Sequence, residues 1–148
     1  MIEVEVHYYQ KHTKSKSKND YFVYPYFLIK GHANNGKTSL ECERVCAGIS
    51  ASVMGLLRLI DTTQYKVNVK SGYFEITSMG GQNGWIDQDT NYGLNTLLCI
   101  IFDLWNTYPH QFKRFEMIEI KENEENYVKP KRPKPFRKLK EQLGVRSN

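Results

Sequence analysis

At 148 residues, 40% of them hydrophobic and 13% aromatic, the chain has the length and composition of one folded domain with its own core. Its formal charge of +5 is unevenly spread: residues 1–128 hold 13 Lys and Arg against 15 Asp and Glu, and residues 129–148 hold 8 against 1, so the two parts carry −2 and +7. That split argues against a generic polyanion-binding domain, the lack of any apolar run of about 20 residues excludes a membrane-spanning helix, and an odd set of three cysteines argues against a disulfide framework.

In chain order, Ile2 to Tyr8 alternates apolar and polar residues and reads as a half-buried strand, not a signal peptide, so the expected compartment is the cytoplasm. Lys11 to Asp20 is basic, polar and aperiodic, which predicts a flexible hairpin loop. Tyr21 to Lys30 is rich in aromatic and β-branched residues and predicts a second strand. Pro25 lacks an N–H, so that strand is expected at an edge or bulged at the proline. An edge near Tyr24 to Ile29 would also let an extended peptide add as a further strand.

Gly31-His32-Ala33 closes the strand, and a polar loop follows from Asn34. Thr38 with Glu41 fits a capping box. Beyond it, Val45, Ile49, Val53, Leu56, Leu57 and Ile60 fall at helical spacing. Tyr65 to Lys70 and Tyr73 to Met79 alternate and are joined at Ser71-Gly72, a hairpin signal. Gly80 to Gly84 holds three glycines but lacks the Lys-Ser/Thr of a phosphate loop, so nucleotide binding is not expected. Asp89 is placed to cap a second helix, whose wide stripe of Leu94, Leu97, Leu98, Ile101, Leu104, Trp105 and Tyr108 runs up to Pro109. Gln111 to Ile120 reads as a last strand. The order β-β-α-β-β-α-β predicts an α+β two-layer sandwich, with two helices packed on a mainly antiparallel sheet. Residues 1–122 form the domain, and the Pro- and Lys-rich residues 123–148 read as a basic, disordered tail.

His32 ends an aromatic strand and Cys46 sits early in the helix that follows, with a short loop between them. A cysteine attacks only as thiolate, and two features here favour that ion: a nearby imidazolium and the amino end of a helix. The same helix-terminal N–H groups would hold the oxyanion of a tetrahedral intermediate, and His32 would protonate the leaving amine. Glu43 lies one turn before Cys46, and Ser50 one turn after it. The bland reading is a buried Cys46 and a surface His32. A metal reading would use His32, Cys42 and Cys46, but no fourth ligand is evident, so neither metal nor cofactor is expected. Cys99 reads most simply as core.

Gly31-His32-Ala33 followed by Val45-Cys46-Ala47-Gly48-Ile49-Ser50-Ala51 resembles the ribosomal-processing cysteine protease family, and the likeness extends over most of residues 1–120. The resemblance implies a small cytoplasmic homodimer that removes an N-terminal extension from the twenty-seventh protein of the large ribosomal subunit. It implies Cys46 as nucleophile, His32 as base, and Glu43 and Ser50 as supporting residues. It also implies that the loop of Asn34, Asn35 and Gly36 orders on the substrate. The family usually carries Asp where Glu43 stands, and the extra methylene changes the reach of the carboxylate. A second class of function is a non-catalytic ribosome- or RNA-binding module, in which Lys129 to Lys140 contact rRNA phosphates.

Overall fold

The first strand shows how the sheet is built. In the computed structural model, which describes residues 1–11, 21–33, 39–79 and 87–120, strand β1 spans Ile2–Lys11. Ile2, Val4, Val6 and Tyr8 point to one face and enter the hydrophobic core. Glu3, Glu5 and His7 point to the other. Glu5 and His7 are nonetheless buried, and His7 Nε2 meets Glu5 Oε2 at 3.0 Å.

Strand β2 (Tyr21–Lys30) pairs antiparallel with β1 and is continuous through Pro25. The pairing slips between His7 and Tyr9, opposite that proline. On the other side, pairing with strand β4 (Tyr73–Ser78) begins only at Tyr26, so the missing N–H of Pro25 costs no ladder bond there. Asn91 secures the irregularity: its Nδ2 donates to the Phe22 carbonyl at 2.8 Å, and its Oδ1 accepts from the Tyr24 N–H at 3.2 Å.

Strand β3 (Tyr65–Lys70) forms the expected hairpin with β4. Strand β5 (Phe112–Glu119) runs parallel to β1, the one parallel pair in a sheet ordered β3-β4-β2-β1-β5. Helices α1 (Leu40–Leu57) and α2 (Gln88–Thr107) bury Val45, Val53, Leu56, Leu94, Leu97, Leu98, Ile101 and Phe102 in the same core cluster as one face of the sheet. This is the expected α+β two-layer sandwich.

Both helix starts differ from expectation. Ser39 caps α1, its Oγ accepting from the Cys42 N–H at 3.2 Å; Thr38 lies outside the described residues. Glu41 Oε1 meets the side chains of His110 and Gln111, from the turn before the last strand. Asp87, not Asp89, caps α2, accepting from the Thr90 N–H at 2.9 Å. Asp89 lies inside the first turn, where its charge still suits the helix dipole. Pro109 opens a short 3-10 turn, Pro109–Gln111, that leads into β5.

The packing has a consequence at alkaline pH. Burial, and then the Glu119 carboxylate, push the Tyr8 phenol up to about 12. Burial likewise raises Tyr24, Tyr26 and Tyr65, with the hydrogen bond to Glu75 adding to the effect at Tyr26. An unfolded tyrosine ionises near pH 10. Above that pH the unfolded chain binds fewer protons than the folded one, so stability falls as pH rises. The melting temperature should therefore drop steeply between about pH 10 and 12. A flat profile across that window would contradict the burial of these phenols.

Candidate active site

The site lies where four backbone segments meet at one end of the sheet. Gly31 ends β2 with φ +96°, a conformation that L side chains rarely adopt. Its N–H donates to the Gly72 carbonyl at 2.8 Å, tying the end of β2 to the β3–β4 turn. A β-carbon at Gly31 would lie 2.2 Å from the Met1 carbonyl oxygen, so the start of β1 packs directly on this backbone. Gly72, also at positive φ, lies under the His32 ring: a β-carbon there would lie 2.4 Å from His32 Nε2. The imidazole is solvent-exposed and rests against the hairpin turn.

Cys46 is half-buried and packs against the core beside Val45, which is fully buried. Its Sγ accepts a hydrogen bond from the Ala33 N–H at 3.3 Å. Ala33 directly follows His32, so backbone geometry places the sulfur within about 6 Å of the His32 α-carbon. The two residues of the expected dyad are therefore brought to one place through their backbones. Rotation about the side-chain bonds of the exposed His32 decides whether ring and sulfur meet.

The helix-terminus part of the expectation needs correction. Cys46 is the seventh residue of α1, about 9 Å along the axis from Leu40, whereas dipole effects fade within the first turn. The N–H groups of Cys42 and Glu43 are already taken by the Ser39 side chain and carbonyl. The donor that reaches the sulfur comes from Ala33 instead. Glu43 and Ser50 are both exposed and, three and four residues from Cys46, share its side of the helix. Asn34, Asn35, Gly36 and Lys129 to Lys140 lie outside the described residues.

A peptide cannot add to the run Tyr24 to Ile29 as expected. Strand β2 is interior, flanked by β1 and β4, because the β3–β4 hairpin returns after α1 to pair beside it. Among the described residues the sheet edges are β3 and β5. No group of three or more His, Cys, Asp or Glu that could hold a metal ion occurs among the described residues. The other thiols differ from Cys46 in setting. Cys42 is buried with its sulfur 3.4 Å from Ser39 Oγ, and burial, then Asp103, pushes the Cys99 thiol up.

One cluster was not foreseen. Glu41, in the first turn of α1, contacts His110 Nε2 and accepts from Gln111 Nε2 at 3.0 Å, both bonds falling on its Oε1. Glu41 and Gln111 stand 70 positions apart, and nothing local in the sequence marks the pairing.

The arrangement is that of an α+β fold with a thiol and an imidazole gathered at the open end of a sheet. No protein-family model matches the chain, and no curated protein matches it by sequence. Solved structures do resemble it. The essential ribosomal processing protease Prp from S. aureus, in complex with a substrate peptide, is similar at 20% identity and a TM-score of 0.52, over 81% of this chain and 100% of that one. The same protease with a covalently linked product peptide is similar at 20% identity and a TM-score of 0.51, over 78% and 98%. A Streptococcus mutans protein is similar at 15% identity and a TM-score of 0.53, over 81% and 96%. At these identities the likeness shows a shared fold. No helix among the described residues is long and apolar enough to cross a membrane.

Proposed function

We propose that this chain is a cysteine endopeptidase that processes the N-terminal extension of a ribosomal protein precursor, the twenty-seventh protein of the large subunit. The observation that carries the reading is the 3.3 Å bond from the Ala33 N–H to Cys46 Sγ, which places a half-buried sulfur beside the backbone that bears an exposed histidine. The shared fold with a peptide-bound processing protease supports the substrate class.

In this reading His32 takes the thiol proton, and the Cys46 sulfur attacks the scissile carbonyl carbon. The C–N bond breaks as His32 returns the proton to the leaving amine. Water then hydrolyses the thioester, releasing the acid and regenerating the thiol. A donor aimed at the sulfur, here the Ala33 N–H, stabilises negative charge on it. Glu43 and Ser50 flank the nucleophile on its own side of α1, where they orient the imidazole or the peptide. Two copies act as a homodimer in the cytoplasm.

The test is cleavage of a peptide spanning the extension of that precursor, followed by mass spectrometry. Wild type should cut it once, and Cys46→Ala should fall to background. Equal turnover by the two proteins would remove Cys46 from the mechanism.

A further inference from the structure

Helix α1 is tied down on two sides. On one side Cys46 Sγ accepts from the Ala33 N–H. On the other, Glu41 Oε1 receives the side chains of His110 and Gln111. Glu41 and Cys46 are five residues apart, which in an α-helix is about 7.5 Å of rise and about 140° of rotation. The two ties therefore grip nearly opposite sides of the first turns. Val45, fully buried, seats the helix on the core, and the two ties act on the roll of its first turns about that seat.

The second tie leads to a firm anchor. Gln111 is 2% exposed, and its N–H donates to the Tyr108 carbonyl at 3.1 Å. The next residue, Phe112, pairs with Ile2 at the start of β1. Met1, just before it, packs on Gly31, the residue preceding His32. The chain of contacts thus runs from Glu41 through Gln111, Phe112, Ile2 and Met1 to Gly31. It joins the first turn of α1 to the end of β2 that bears the imidazole.

We infer that Glu41 is a positioning residue: through Gln111 it fixes the roll of α1, and so the direction of the Cys46 sulfur relative to His32. The inference rests on the reading of Cys46 as nucleophile. The effect of Glu41 passes through the helix. Of its two partners Gln111 matters more. It is buried, whereas the His110 side chain is 53% exposed, and exposed ion pairs contribute little.

The experiment compares Glu41→Ala and Glu41→Gln with wild type on the same precursor peptide. Displacing a reacting group by about 1 Å costs up to about 100-fold, so Glu41→Ala should lower kcat by about 10- to 100-fold with KM held within about twofold. Glu41→Gln keeps an oxygen that accepts from Gln111 and should stay within about threefold of wild type. Hydrogen exchange supplies a measurement independent of cleavage. The Cys42 and Glu43 amides should exchange about tenfold faster in Glu41→Ala and at the wild-type rate in Glu41→Gln. Unchanged kcat in Glu41→Ala, equal losses in the two variants, or unchanged exchange would each overturn the inference. Full activity in Glu41→Ala beside an inactive Cys46→Ala removes this inference alone. An active Cys46→Ala removes the catalytic reading instead, and the exchange rates then decide whether Glu41 holds the helix.

Discussion

Replacing Gly31 with alanine should destabilise the protein by about 3 kcal/mol or more, the size expected when backbone strain and a backbone clash combine. The residue has φ +96°, which costs an L residue on the order of 1–3 kcal/mol. The new methyl would also stand 2.2 Å from the Met1 carbonyl oxygen. Backbone cannot rotate aside as a side chain can, so either β1 or the end of β2 must shift. Shifting β2 strains the 2.8 Å bond from the Gly31 N–H to the Gly72 carbonyl, and with it the link between the end of β2 and the hairpin turn. For a chain of this size the loss corresponds to a fall in melting temperature of about 10 °C. Gly72→Ala is the informative contrast. Its φ of +67° is the milder left-handed conformation, and the obstructing atoms belong to an exposed His32 ring that can swing away. It should cost only about 1 kcal/mol. Equal losses for the two variants would mean that the approach of Met1 to Gly31 carries no special weight.

Under the proposed function, His32→Ala should lower kcat/KM for the precursor peptide by about 10²- to 10⁴-fold, the usual contribution of a general base. It should leave the melting temperature within about a degree or two, because the ring is exposed and makes its contact with a glycine at a turn. The separation of the two effects is the point of the measurement. A variant that loses stability and activity together would mark His32 as a packing residue of the sheet end. One that retains activity within about tenfold would show that the imidazole does not move the proton.

The local elements were legible because their signals are local. The alternation of Ile2 to Tyr8, the aromatic run Tyr21–Lys30 and the Ser71-Gly72 turn each name their own structure, and β2 and β3 begin and end where the pattern says. The stripe of α2 is equally plain: Leu94, Leu97, Leu98 and Ile101 are all buried. Caps were less secure. Thr38 and Ser39 are both good N-caps, as are Asp87 and Asp89, and a one- or two-residue choice between like side chains depends on how the helix seats.

The sequence by itself determined the order of strands and helices, the two-layer class, and the nearness in chain of a histidine at a strand end to a cysteine in the next helix. Only the tertiary structure decided that β2 is interior and β5 parallel to β1, since strand pairing joins residues far apart in sequence. It alone placed Ala33 against the Cys46 sulfur, Gly72 beneath the His32 ring and Glu41 on Gln111. Periodicity tells which face of an element is buried, but which partner it meets depends on how separate elements pack, and no local pattern encodes that.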